Sequence, residues 1–182
     1  MKKKTFWTIV RTIVIAVIIA VFFRSYLFAS YVVDGKSMEP TLHDGDLLMV
    51  NKVVYDWHDI NRFDVIVFHA NDEEDYVKRV IGLPGDHIEF KDDSLYVNAI
   101  KINETYLEPL KATARNQITE DFSLEEKTGT TIVPEGKLFV MGDNRKDSYD
   151  SRYFGFIETD TVVGKVDIIY WPMSQLAFSL TK

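Results

Sequence analysis

An apolar stretch close to the N-terminus constrains this chain more than any other feature. Phe6 to Phe23 contains only apolar residues apart from threonines and Arg11, and from position 13 onward only Val, Ile, Ala and Phe occur. With its aromatic flanks the stretch reaches about 20 residues, which is long enough to cross a bilayer core as a helix. The sequence therefore predicts a basic start and a transmembrane anchor over residues 1–28, followed by a single extracytoplasmic domain over residues 29–182.

The charges around this stretch predict its orientation. Three lysines at positions 2–4 precede it, and basic residues favour the cytoplasmic side of a membrane. We therefore expect a single-pass protein of the cell membrane, with a cytoplasmic N-terminus and an extracellular body. A cleaved signal peptide also has a basic start and an apolar centre. Cleavage after Ala29, however, would leave the bulky Leu27 where a small residue is needed, which favours a retained anchor.

Composition excludes several classes of function. The chain has no cysteine, which excludes disulfides, thiol nucleophiles and iron–sulfur clusters. Five of the 21 basic residues and none of the 28 acidic residues lie in the first 24 positions, so the body is strongly acidic. Nucleic-acid binding depends on neutralising phosphates, and we expect no nucleic-acid partner. The four histidines match no zinc motif, and we expect neither a metal nor a cofactor.

Beyond the anchor, short β-branched and aromatic runs alternate with turn residues. Such runs predict strands, here at residues 31–33, 46–55, 63–69, 76–81, 87–90, 94–98, 137–141 and 161–171. Asp92 and Asp93 separate two of these runs as a hairpin turn would. Residues 103–131 are rich in Thr, Glu and Asn and predict a long surface excursion. No helical period exceeds two turns, so we expect a mostly β domain built as a folded sheet or barrel.

A serine lies in a turn directly after the first predicted strand. Ser37 stands two positions after Gly35 and three before Pro40, and such a turn presents a hydroxyl instead of burying it. A turn serine usually bonds only its own backbone. As a nucleophile its hydroxyl is weak and requires a base.

The candidate base is a lysine within an apolar strand. Strand alternation places Lys78 on one face with Tyr76 and Val80, and places Val77 and Arg79 on the other. Taken alone, the two adjacent charges indicate an exposed edge strand. Burial would instead favour the neutral amine and lower the lysine pKa from about 10.4 by several units. The histidines have no acidic partner at a meaningful spacing, so we expect them to be ordinary surface or packing residues.

A third stretch, residues 142–152, reads Gly-Asp-Asn-Arg-Lys-Asp-Ser-Tyr-Asp-Ser-Arg and is too polar for a core. Together with the Ser37 turn and the Lys78 strand, it resembles the sequence boxes of bacterial type I signal peptidases. These are serine–lysine membrane proteases of the S26 family that remove signal peptides from exported proteins. The resemblance extends from the anchor to Gly155, and Gly35 is similar to the Gram-positive branch, whereas some members have a serine there.

The resemblance implies roles for individual residues. Ser37 would be the nucleophile that forms an acyl-enzyme, and Lys78 would be the general base. Ser148 would orient the lysine amine by a hydrogen bond, and Asp150 and Arg152 would form an ion pair that supports the site.

For the remaining polar positions we expect more general roles. The N–H of Ser37 would be the first oxyanion donor, and Gly35 leaves the second donor unidentified. For Asp143, Asn144 and Arg145 we expect turn formation and bridging between strands.

The resemblance also implies the substrate, which is an exported preprotein cut after small residues at the first and third positions before the scissile bond. The pocket walls map to Val33, Met38, Leu42, Tyr76 and Val77. Apolar walls suit an alanine methyl and exclude larger side chains. The peptide would lie extended against residues 31–35 and 75–78, and membrane lipid would be the second partner.

Two other functions fit part of the pattern. A non-catalytic, membrane-tethered β domain that binds extended peptides would hold Ser37 and Lys78 farther apart than about 3.2 Å. A self-cleaving serine–lysine repressor would need a helical DNA-binding domain, and the predicted anchor stands in its place.

Overall fold

The chain begins with a long helix. In the computed structural model, which describes residues 2–178 and 180, helix α1 spans Lys2–Leu27 and continues directly into strand β1, Phe28–Val32. Its apolar window Phe6–Phe23 is not buried against the rest of the protein. At 1.5 Å per residue, 18 residues reach about 27 Å, close to the thickness of a hydrocarbon core. The predicted helix is confirmed, and it is long and apolar enough to span a membrane.

The body is mostly β, as predicted. Its remaining strands are, in chain order, β2 (Leu47–Asn51), β3 (Val65–His69), β4 (Asp75–Gly82), β5 (Ile88–Lys91), β6 (Ser94–Val97), β7 (Ile100–Ile102), β8 (Phe122–Ser123), β9 (Lys137–Met141), β10 (Ile157–Glu158), β11 (Val162–Trp171) and β12 (Ala177–Phe178). Within the described residues they form two antiparallel sheets. The larger has the order β1-β2-β11-β3-β4-β9-β10, with β12 beside β11, and the smaller has the order β7-β6-β5-β8.

Most predicted strands lie within a few residues of those observed. The strand predicted at residues 46–55 is shorter, because β2 ends at Asn51 and a 3₁₀ turn follows at Val54–Asp56. The predicted hairpin is confirmed, with Asp92 and Asp93 both at positive φ between β5 and β6. The helices of the body are short, namely α2 (Glu108–Thr113), α3 (Leu124–Thr128) and α4 (Ser151–Phe154).

The prediction that residues 103–131 form a surface excursion is wrong. Strand β8 pairs with β5, and the segment contributes buried apolar side chains at Leu107, Phe122 and Leu124. Glu104 is also buried, because the guanidinium of Arg145 binds its carboxylate. The apolar residues of this segment are few and irregularly spaced, and its buried polar residues are paired with distant partners. Its sequence therefore has the pattern of an exposed loop.

The central strands β3 and β4 separate two apolar clusters. One, here called the Val67 face, contains Val33, Met38, Leu42, Val65, Val67 and Val77. The other, here called the Phe68 face, contains Ile66, Phe68, Tyr76, Val80, Phe154 and Ile157. Alternation along β4 assigns Lys78 to the Phe68 face, together with Tyr76 and Val80.

Strand β4 is paired unevenly. It pairs with β3 from Asp75 to Arg79, but its pairing with β9 begins only at Arg79. Within the described residues, positions 75–78 therefore leave one backbone edge without a neighbouring strand. The two adjacent charges alone predicted an exposed strand, but both Lys78 and Arg79 are buried.

Candidate active site

The serine turn is closed by its own hydrogen bonds. Gly35 has a φ of 90°, a conformation that favours glycine, and its N–H donates to Asp44 Oδ1 at 2.9 Å. The N–H groups of Thr41 and Leu42 both donate to the carbonyl of Met38. In the described part of the chain, the N–H of Ser37 donates to no protein acceptor. It is therefore available to a ligand.

Lys78 reaches this turn from β4. Its Nζ lies 2.8 Å from Ser37 Oγ and 3.1 Å from the carbonyl oxygen of Val77. The side chain is only 4% exposed, and burial lowers the pKa of Lys78 to about 8, although Asp150 and Asp143 act in the opposite direction. More of the amine is therefore neutral near physiological pH than in an exposed lysine, and this neutral form can accept the serine proton.

The polar loop, residues 142–152, surrounds the amine on the other side. Asp150 accepts from the N–H of Gly142 at 3.0 Å and from both Nε and Nη2 of Arg152 at 2.8 Å. Burial by itself would raise the pKa of Asp150, but Arg152 and the Gly142 N–H hold that pKa below its ordinary value. The predicted partners Asp150 and Arg152 thus lie together as a buried ion pair.

Ser148 differs from its expected geometry. The amine of Lys78 bonds to Ser37 and Val77, and no described hydrogen bond joins it to Ser148. The Ser148 hydroxyl is buried and makes no well-formed hydrogen bond within the described residues, although it helps to lower the pKa of Asp150. It packs against Gly142, where a Cβ atom would come within 2.2 Å of Ser148 Oγ and 2.3 Å of the Ser37 carbonyl. Only glycine allows this approach.

The polar loop also holds the serine turn in place. Asn144 donates from its backbone N–H to the Ser37 carbonyl at 3.0 Å and from its side chain to the Lys36 carbonyl at 3.1 Å. Asp143 accepts from the hydroxyl of Thr41. The expectation for this stretch was bridging between strands, but these contacts join the loop to the serine turn.

Two arginines form buried ion pairs that the sequence did not predict. Arg79 forms a doubly hydrogen-bonded ion pair with Asp143 and lies 3.9 Å from the Tyr106 ring. Arg145 binds Glu104 and the hydroxyl of Tyr106. Their partners lie 64 and 41 residues away in sequence, so no local spacing indicates the pairs. The sequence signal that could have indicated such a pair is a charged residue flanked by buried strand residues, as at Arg79.

The Ser37 and Lys78 side chains lie in a cleft of about 260 Å³ between β1 and the start of β4. Four predicted pocket residues line it, namely Val33, Met38, Tyr76 and Val77.

Leu42, the fifth predicted pocket residue, does not line the cleft. It is fully buried within the Val67 face, because the turn folds it inward. Tyr76 lines the cleft from the Phe68 face, opposite Val77, so the two do not form one wall. Tyr31, within the stretch 31–35 expected to contact the peptide, also lines the cleft, whereas Tyr149 lines it and was missed.

Comparisons with known proteins identify the family of this chain. Residues 6–171 match the family described as "Signal peptidase, peptidase S26". A signal peptidase I from Bacillus caldolyticus is 57% identical over 165 residues, covering 90% of this chain and 91% of that protein. Signal peptidase IB from Staphylococcus aureus strain MRSA252 is 41% identical over 184 residues, covering 98% and 96%.

A solved structure shows the same fold. The crystal structure of a signal peptidase I from Enterococcus faecalis V583 has a TM-score of 0.57 and 43% identity, covering 60% of this chain and 97% of that one. The chain therefore belongs to the S26 family of bacterial type I signal peptidases, in its Gram-positive branch, and is a serine endopeptidase.

Proposed function

We propose that this peptidase removes signal peptides from exported preproteins, with Ser37 as nucleophile and Lys78 as general base. The observation that carries the proposal is the 2.8 Å contact between a buried lysine amine and a serine hydroxyl at the edge of an apolar cleft. A peptide-binding domain without catalysis has no need to bury an amine beside a hydroxyl. The short distance therefore favours the catalytic function over that alternative.

The reaction depends on the protonation state of Lys78. The neutral amine takes the hydroxyl proton as Ser37 Oγ attacks the scissile carbonyl carbon. The unpaired N–H of Ser37 supports a donor role toward the oxyanion that develops. The lysine ammonium then gives its proton to the leaving amine, which departs as the new N-terminus of the mature protein. Water, deprotonated by the same amine, attacks the acyl ester, releases the signal peptide and restores the hydroxyl.

Substrate binding uses the open edge of β4. An extended peptide placed between residues 31–35 and 75–78 would add a strand beside β4 and bind through its main chain. The walls provided by Val33, Met38 and Val77 are apolar and leave little space. They suit small residues at the first and third positions before the scissile bond.

The N-terminal helix provides the membrane attachment. We place residues 1–28 in the cytoplasm and the bilayer of the cell membrane, and residues 29–182 outside as the catalytic domain. The apolar window Phe6–Phe23 supports the span, and the lysines at positions 2–4 support the orientation. Membrane lipid and exported preproteins are then the partners, and the tether holds the cleft where signal peptides leave the bilayer.

The decisive experiment compares full-length variants in detergent with a preprotein substrate. Ser37→Ala and Lys78→Met should each lower the cleavage rate by at least about 10³-fold, because nucleophile and base are both required. Ser94→Ala and Lys91→Met change the same residue types in the β5–β6 hairpin and should cleave normally. An acid quench should trap the signal peptide as an ester on Ser37. Cleavage by Ser37→Ala at the unmodified rate would overturn the proposal.

A further inference from the structure

A second cavity adjoins the cleft on the Phe68 face. Its volume is about 420 Å³, and we call it the aromatic pocket after the rings that line it. Its apolar lining includes Phe68, Tyr76, Tyr149, Phe154, Phe156 and Ile157. The reaction described above uses none of this space. A cavity of this size can hold one large side chain of a bound peptide.

Two tyrosines connect the aromatic pocket to the cleft, because Tyr76 and Tyr149 line both cavities. The ring centroid of Tyr76 lies 5.3 Å from the Nζ of Lys78, which places the mouth of the pocket beside the reacting groups. The aromatic pocket therefore adjoins the proposed substrate site, with the two tyrosines at their boundary.

Tyr149 is exposed but held in position by other rings. It is 59% exposed, yet its ring stacks on Tyr153 at 5.9 Å and meets Phe154 edge-on at 5.4 Å. Such ring pairs favour a defined orientation over free rotation. A fixed and exposed aromatic ring at the boundary of two cavities offers a contact surface to whatever occupies them.

The alternation of an extended peptide decides which residue meets this pocket. This step rests on the proposed function, in which the substrate lies as a strand along the open edge of β4. Successive side chains of a strand point to opposite faces of its sheet. If the first and third residues before the scissile bond face Val33 and Val77 on the Val67 face, the second faces Tyr76 and Tyr149 on the Phe68 face.

We propose that the aromatic pocket takes the side chain of the second residue before the scissile bond, and that Tyr149 makes the enzyme select a bulky apolar side chain there. The two faces of the cleft would then have opposite requirements. The Val67 face excludes bulk, whereas the Phe68 face gains from it, because an aromatic or branched side chain buries more apolar surface than alanine does.

Two preprotein substrates test this assignment. Both carry alanine at the first and third positions, and the second residue is phenylalanine in one and alanine in the other. For the unmodified full-length enzyme, kcat/KM should be at least about tenfold higher with phenylalanine. Tyr149→Ala should bring the ratio close to one, whereas Tyr149→Phe keeps the ring and should keep the ratio. Trp57→Ala removes an exposed aromatic side chain that lines neither cavity and should also keep it.

The outcomes separate this inference from the function on which it rests. Equal kcat/KM values for the two substrates, or a ratio that Tyr149→Ala leaves unchanged, would overturn the inference while the peptidase assignment stands. Failure of the unmodified enzyme to cleave either substrate would instead overturn the proposed function, and the inference with it. Thermal unfolding of each variant establishes that the compared proteins are folded.

Discussion

Asp143 and Arg79 form an ion pair with two hydrogen bonds, of 2.8 and 2.7 Å, and both side chains are completely buried. Asp143 also accepts from Thr41, which lies in the serine turn. One carboxylate thus joins the strand that carries Lys78, the polar loop and the turn that carries Ser37. The relative position of the two reacting groups depends on this pair.

Removing one partner of the pair should lower the stability of the protein. Asp143→Ala leaves the Arg79 guanidinium buried without its counter-charge, and we expect a loss of about 3–5 kcal/mol in the free energy of unfolding. Urea unfolding of the full chain in detergent, followed by tryptophan fluorescence, measures the loss. Asp160→Ala changes an exposed carboxylate and should stay within about 0.5 kcal/mol of the unmodified protein. Equal stability of the two variants would contradict the structural role of the pair.

Acylation should depend on pH through Lys78. The pKa of its amine is lowered to about 8, so the neutral, active form increases as pH rises through that value. Below it, the acylation rate should fall about tenfold per pH unit. Single-turnover kinetics with a preprotein between pH 6 and 10 would measure the inflection. A rate that is constant over this range would rule out Lys78 as the base.

Asp150 should affect the pH at which the acylation rate inflects. Its carboxylate stabilises the lysine ammonium and raises the pKa of Lys78, in opposition to burial. Asp150→Asn removes that charge and leaves the positive Arg152 nearby, so the inflection should move below 8. The same single-turnover measurement applies to this variant. An inflection displaced upward would contradict the assigned electrostatics.

Lys78 should also lower stability at neutral pH. Its folded-state pKa, about 8, lies below the ordinary value of 10.5, so between these values the unfolded chain binds the proton more readily. The resulting cost is fully present below pH 8 and disappears as pH rises through 10.5. Lys78→Met should therefore raise the free energy of unfolding at pH 7, by up to roughly 3 kcal/mol. Its advantage should shrink by pH 10, and a pH-independent difference would refute the linkage.

Gly142 and Gly164 form a matched pair for testing close packing at the site. An added Cβ at Gly164 would come within 2.3 Å of the Asn51 carbonyl, and one at Gly142 would meet Ser148 and Ser37 equally closely. Both alanine variants should lose about 1–3 kcal/mol of stability. Only Gly142→Ala should also reduce kcat/KM per folded molecule, by about 100-fold, because it displaces the serine turn. Similar activity of the two folded variants would show that Gly142 has no special role.

The sequence predicted the features that depend on local pattern. Strand β9 was expected at 137–141 and lies at Lys137–Met141, because a β-branched and aromatic run is bounded there by turn residues. The approach of Lys78 to Ser37 was expected only through the resemblance to a family, since the two adjacent charges, taken alone, favoured an exposed edge strand.

Contacts between distant segments could not be predicted in the same way. Glu104 was predicted to lie in a surface loop, but its contact with Arg145 holds it in the interior. Leu42 was predicted to line the pocket, but the turn buries it beneath the cleft. Tyr149 has no local feature that marks it as part of two cavities. Each of these positions depends on how segments distant in sequence come together or on the course of the whole turn.

Helix α1 ends at Leu27 and β1 begins at Phe28, so no linker residue separates the helix from the β-rich body. The ten residues from Phe28 to Ser37 can extend at most about 35 Å, so if the helix lies in lipid as proposed, Ser37 stays inside a thin layer above the bilayer. Under the proposed function, a sequence with small residues at the first and third positions would be cut only while it lies within that layer, so mature proteins would escape cleavage once they leave it.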